Sequence, residues 1–266
     1  MVQGGEELFA TRIASGENFD VLVIATEGQR VFASRGLLDP IDDLLERDAA
    51  EMQEFFDDVH PRLLEFTKTL SSPDGKTYVL PGEFNTMGVW YNKDVFDAAG
   101  VDYPQSGWTW DDFNTAAHAL TKPDGSVYGM HVTGALFASV MPWLLTNGAS
   151  PLSADWTTST VNTPEAVEAA TQMHQLVADG VSPEPGGEFD AFTTFAQGGL
   201  AMIGVGMWIY PSQVDAGTQD HIDVVQWPAH SGPGSPVGWK SYPIMSSTQN
   251  REGAWALAKY FTSKEA

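Results

Sequence analysis

YVLPGEFNTMGVWYNKDVFDAAGVDYP, residues 78–104, places four structural signals in one line. Pro81-Gly82 marks a turn, because proline presets φ and glycine tolerates the conformations a turn needs. Glu83 to Thr86 is a short polar tract. Met87 to Tyr91 is an apolar run with aromatic side chains, and GVWYN (88–92), which overlaps it, predicts a strand. DVFDAAG (94–100) predicts a helix closed by Gly100, the usual stop just past a last turn. A polar tract beside a strand that leads out of a structural unit is where a ligand-orienting group is expected.

On the N-terminal side, FDVLVIAT (19–26) is a continuous apolar run. It predicts a buried strand in a parallel sheet, since such strands are covered on both faces. FASRGLLDPIDDLLERD (32–48) predicts a helix ending at Gly36 and then a short amphipathic helix, and residues 55–70 predict another. On the C-terminal side, Thr109 with Asp112 three residues on has the pattern of a capping box. VYGMHVTG (127–134) predicts a strand, and residues 136–147 an apolar helix ending at Gly148. NTPEAVEAATQMHQLVADG (162–180) is the clearest helix, with Thr163 as cap, Pro164 at the first position, Glu165 against the dipole and Gly180 as stop. Residues 190–197 predict a helix, GGLAMIGVGMW a glycine-broken strand and DVVQWPA (223–229) a further strand. A Gly/Pro-rich segment then leads to a last helix from Asn250. Strands alternating with helices place the chain in the α/β class with a mainly parallel sheet.

The 266 residues suffice for one large domain or two modest ones, with the apolar and charged content of an ordinary globular protein. Thirteen basic against 35 acidic residues argue against nucleic acid or an anionic membrane as partner. No apolar run approaches the roughly 18 residues of a membrane span. No cysteine is present, which removes disulfides, thiolate metal sites and cysteine nucleophiles. MVQGGEELFATRIAS has neither the basic start nor the apolar stretch of a signal peptide. Both ends look cut within or just past a helix, so a fragment of a longer precursor is expected.

The histidines at 60, 118, 131, 174, 221 and 230 share no metal-binding spacing. There is no phosphate-cradling glycine motif and no G-x-S-x-G elbow. Neither a metal, a cofactor nor a catalytic residue is assigned. Paired carboxylates could serve glycoside hydrolysis, and Glu27 and Glu83 are candidates, but among 35 acids any pairing is easily found. The nine tryptophans are more telling. Several, including Trp108, Trp110, Trp208 and Trp239, sit at element ends or in glycine-rich segments. Indole is awkward core filling because its N–H needs a partner. Flat aromatic faces with carboxylate and amide groups around them suit a sugar, whose C–H face stacks while its hydroxyls bond.

Seven strings, in order, carry a resemblance: IASGENFDVLVI, FASRGLLDPIDD, DGKTYVLPGEFNTMGVWYNKDVFDAAGV, WTWDDFNTAAHALT, NTPEAVEAATQMHQLVADGV, FAQGGLAMIGVGMW and NREGAWALAKYFTSKEA. Nearly the whole chain resembles the extracellular solute-binding proteins of ABC importers, in the carbohydrate-binding family that includes maltose-binding protein. The family's first strand and helix, its signal region and its last helices have no counterpart, so a stability and ligand affinity below those of the full protein are expected.

The resemblance implies the type II periplasmic-binding-protein fold: two α/β lobes joined by a hinge, closing on a ligand between them. It implies an N-lobe of residues 1–92 and 240–266 and a C-lobe of 93–239, with Tyr91 to Asp94 as the first crossing and GWKSYP (238–243) as the return. It implies a monomer at the cell surface or in the periplasm, in some cases lipid-anchored, that binds an extracellular carbohydrate and delivers it to membrane permease subunits. A non-sugar solute such as a polyamine, a peptide or a metal chelate is the alternative, and a glycosidase is the enzymatic one. Implied ligand residues are Glu27, Asn85, Trp208, Phe137, Trp143, Glu83, Trp239 and Lys240, with Thr86 a weaker candidate. Met207 stands where the family usually has proline before the stacking tryptophan, and Trp239 and Lys240 stand where it usually has glycines.

Overall fold

The computed structural model describes residues 6–154, 157–186 and 189–266. The chain divides into two compact units, residues 1–84 with 238–266 and residues 85–237. It leaves the first unit at 84/85 and returns at 237/238, not at 92/93 and 239/240. The reason is local. The run after Met87 is the central strand of the second unit's sheet, so it cannot also be the connection.

The first unit contains a three-stranded sheet in the order β1 (Ile24–Ala25), β6 (Val237–Ser241), β2 (Glu83–Thr86), of which β6 and β2 run into the chain crossings. Ile24 faces Ser241 and Ala25 faces Lys240, antiparallel. The same register continues outward: Val21 bridges Ile244, Leu22 N–H donates to Pro243 O at 3.4 Å, and Met245 N–H donates to Asp20 O at 2.9 Å. The apolar run at 19–26 is therefore buried as expected, with Leu22 and Ile24 in the core. Its pairing corrects the expectation of a parallel strand. Its partner is the returning strand, which arrives from the opposite direction after the whole second unit has been made. The helix Thr26–Ser34 follows directly, and Gly36 in the left-handed region (φ 68°) turns the chain out of it. The stretch predicted as one helix at 55–70 is two, Gln53–Asp58 and Pro61–Thr69, because Pro61 starts the second with His60 as its cap. The final helix Arg251–Phe261 begins at Asn250, whose side chain accepts from Gly253 N–H. Its Trp255 is buried with Ile41, Leu44 and Ile244.

The second unit is built on β3 (Gly88–Asn92), flanked by β4 (Met202–Val205) and β5 (Ile222–Gln226), both antiparallel to it. Among the described residues parallel pairing is limited to single bridges: Thr109 to Ala229, and, in place of the strand predicted at 127–134, Tyr128 to Leu200 and His131 to Ile203. Asn92 ends β3 and caps the helix Lys93–Ala99, its Oδ1 accepting from Val95 N–H at 3.3 Å, and its amide donates to Phe195 O at 3.1 Å. The YNKD string is thus a strand end and a helix cap inside one unit, not a crossing. The capping box at Thr109 and Asp112 forms as the spacing predicts, on the helix Trp110–Leu120. The helix Pro164–Ala178 lies within the stretch read for it, starting at Thr163, with Gly180 left-handed beyond its end. The apolar stretch at 136–147 is a π-helical turn, Leu136–Val140, continuing into the helix Met141–Thr146. Trp143, Phe113, Phe96 and Val89 meet in the core.

Among the described residues no helix is long and apolar enough to cross a membrane.

Candidate functional site

The polar tract and the glycine-broken strand meet in the second unit. β4 ends at Val205, and Gly206 passes the chain into a tight turn, Met207–Ile209, that leads to the helix Tyr210–Asp215. Asn85, on β2, accepts from the Met207 main-chain N–H through Oδ1 at 3.2 Å. That bond engages a donor at the start of the turn and holds two segments 122 residues apart. The Trp208 ring folds back over Gly206. A Cβ at position 206 would collide with Trp208 Cζ3 and come within 3.0 Å of Asn85 Oδ1. Glycine here is what allows the indole to lie on the backbone beside the amide. Trp208 remains 37% exposed and Met207 57%. An accessible indole face, held flat and next to a side-chain amide, can stack on an apolar face of a solute and bond to a neighbouring hydroxyl.

Thr86 and Ser235 complete this edge. Their hydroxyls are 2.7 Å apart, and Ser235 Oγ accepts from Met87 N–H and donates to Met87 O, each at 2.9 Å. Ser235 and Met207 were not expected at a site. The hint for Met207 lay in Gly204 and Gly206, two glycines immediately before an exposed tryptophan. Nothing in the sequence points to Ser235.

The other expected residues are divided between the units. In the first, Glu27 is exposed in the first turn of Thr26–Ser34. Its neighbour Thr26 is tied to the returning strand, accepting from Trp239 N–H at 2.8 Å and donating to Trp239 O at 3.0 Å. Glu83 and Lys240 form an ion pair at 3.1 Å, and Tyr242 donates to the same carboxylate at 3.1 Å. Burial and the Glu83 charge push the Tyr242 hydroxyl up to about 12, so it stays a donor. Two of the three charged groups expected to meet ligand, Glu83 and Lys240, are therefore engaged with each other and half exposed.

Two tryptophans need correction. Trp239 is buried and stacks on Phe66, with 6.3 Å between centroids and 10° between planes. It alternates with Lys240 along β6, so the two cannot share a face. Trp143 is fully buried among Trp110, Phe113 and Trp227. Neither indole N–H has a hydrogen-bond partner. Both rings act as packing, and neither offers a face to a solute in this structure. Phe137 is half-buried against the same core as Trp143. Among the described residues no group of three or more histidine, aspartate and glutamate side chains is placed to hold a metal.

Known proteins match this chain along almost its full length. A Brucella abortus protein carried under the name of a candidate binding protein is 26% identical over 269 residues, covering 96% of this chain and 61% of that protein. An ABC transporter solute-binding protein from Thermotoga lettingae, solved with alpha-D-tagatose, superposes with a TM-score of 0.85 at 26% identity, over 97% of this chain and 66% of that one. An ABC substrate-binding protein from Listeria monocytogenes, solved with cycloalternan, gives a TM-score of 0.80 at 25% identity, over 97% and 65%. The chain thus spans somewhat under two thirds of the length of these relatives and has the periplasmic-binding-protein type II fold. With a family model matched over residues 2–266, it belongs to the bacterial extracellular solute-binding proteins.

Proposed function

We propose that the protein binds a carbohydrate outside the cytoplasm and hands it to the membrane subunits of an ABC importer. The observation that carries this reading is the Trp208 face laid over Gly206 beside the Asn85 amide. A pyranose or furanose ring presents a C–H face to the indole and hydroxyls to the amide. The sugars bound to two relatives at 25–26% identity support the same class of solute. In the first unit, Glu27 presents an exposed carboxylate, a group whose charge-assisted bonds to hydroxyls are about twice as strong as neutral ones. The protein acts as a monomer at the cell surface or in the periplasm. The solute is held and released unchanged, a reading supported by the pairing of the Glu83 carboxylate with Lys240.

Calorimetry against a panel of mono- and oligosaccharides tests this. At least one sugar should bind saturably and be recovered intact. Trp208→Ala should cost about 2 kcal/mol, roughly a 30-fold rise in Kd. Saturable binding of a polyamine or a peptide with no response to any sugar would replace the reading with a non-sugar solute. Release of a cleaved product that Glu27→Gln abolishes would replace it with a glycosidase.

A further inference from the structure

The second unit carries a recess of about 560 Å³ that shares Thr86, Gly206 and Met207 with the Asn85–Trp208 edge. Trp90, Val224 and Trp227 contribute to its walls. Met207 is 57% exposed and Val224 44%, so two apolar side chains stand open to solvent at one depression. Exposed apolar groups gathered in this way mark ligand surfaces, where scattered ones carry no meaning.

The recess is lined mainly by apolar side chains and main chain, and several of its few polar groups are already hydrogen-bonded. Thr86 and Ser235 share a hydrogen bond, and Ser235 also holds both main-chain groups of Met87. Gln226 Oε1 accepts from Ser106 Oγ at 3.2 Å. The Trp90 indole N–H donates to Val205 O at 3.2 Å. A second sugar ring entering here would find few partners for its many hydroxyls among Trp90, Val205, Met207, Val224 and Trp227, at the cost of their hydration. An apolar group would need none and would release water from Met207 and Val224.

We propose that this recess receives an apolar substituent, aryl or short alkyl, carried by the solute whose ring rests on Trp208. The preferred ligand is then a glycoside with an apolar aglycone, and the recess discriminates it from the bare sugar and from a longer oligosaccharide. The aglycone lies against Val224, Met207 and the Trp90 wall. The ring half of this ligand rests on the carbohydrate reading, whereas the recess half does not.

The test is calorimetry with matched methyl and phenyl glycosides of each sugar, together with 4-nitrophenol alone followed by tryptophan quenching. The phenyl member of a bound pair should bind at least tenfold tighter than the methyl member. Val224→Asp should erase that advantage and leave the methyl glycoside unchanged, while Val224→Ile should keep it. Both variants are on an exposed strand position, and a melting curve establishes that each is folded. If no glycoside binds but 4-nitrophenol saturates the parent protein and not Val224→Asp, the carbohydrate reading falls and the recess stands. Equal affinity within every bound pair overturns the proposal, as does an advantage that survives in Val224→Asp. Failure of both phenyl glycosides and 4-nitrophenol to saturate also overturns it.

Discussion

At the scale of residues, the proposed site rests on one glycine. Gly206 has ordinary backbone angles, φ −83° and ψ −170°, so its role is space and not conformational freedom. Gly206→Ala would drive the Trp208 ring off the main chain and press on Asn85 Oδ1. Overpacking of this kind costs about 1–3 kcal/mol. Here the exposed indole can yield, so the expected result is a small loss of melting temperature with a loss of sugar affinity approaching that of Trp208→Ala. Affinity equal to the parent's would show that the indole is not held by this contact. Asn85→Leu should act differently. It removes the acceptor from Met207 N–H, so it should destabilise by about 1 kcal/mol as well as weaken binding. Asn85 and Trp208 stand out in the sequence as polar and glycine-flanked positions in an apolar context, and the structure brings them together at Gly206. The burial of Trp143 and Trp239 was not, since side-chain direction along a strand or helix depends on packing partners far away in the chain.

At the scale of elements, the helices were legible and the sheets were not. Caps are local: Thr109 and Asp112 are three residues apart, and their reciprocal bonds form as the spacing requires. Thr109→Ala should lower stability by about 1 kcal/mol in a melt, with sugar affinity unchanged. Strand direction is not local, and the partner of Val21 is Ile244. A buried apolar run looks the same whether its neighbour is parallel or antiparallel. Between the helices Asp42–Arg47 and Arg251–Phe261 of the first unit, Arg251 donates to both oxygens of Asp43, at 2.7 and 2.8 Å. These bonds hold the Asp43 carboxyl down at about 2. The folded value is below the unfolded one, so the link contributes stability above the unfolded value of about 4 and loses it as pH falls toward about 2. Asp43→Asn should therefore melt lower than the parent at pH 5, by a margin that shrinks between pH 4 and pH 2. A margin independent of pH would remove the ion pair as its cause. Because Asp43 is largely exposed, the margin should also narrow in high salt.

At the scale of the whole molecule, two opposing electrostatic terms can be separated by experiment. The net charge of −22 makes the folded chain repel itself. Against this stand ion pairs such as Arg251 with Asp39 and Lys259 with Asp48, which join the final helix to earlier parts of the first unit. Salt screens both. The 35 acidic side chains outnumber the 13 basic ones, so most have no basic partner, and exposed pairs are each worth less than about 1 kcal/mol. Repulsion should therefore dominate. The melting temperature should rise as sodium chloride is raised from 10 mM toward 500 mM, and about 1 kcal/mol of relief corresponds to roughly 2–4 °C for a chain of this size. Potassium chloride should give the same rise, since the effect is screening and not site binding. A fall in melting temperature with salt would show that the ion pairs of the final helix outweigh the net charge. The two-unit organisation itself was legible only through the ordered motifs of the family, and the boundary was misplaced because Met87 to Asn92 gives no sign of which sheet it joins. The charge, by contrast, is readable from composition alone, and it makes this the prediction least dependent on the fold.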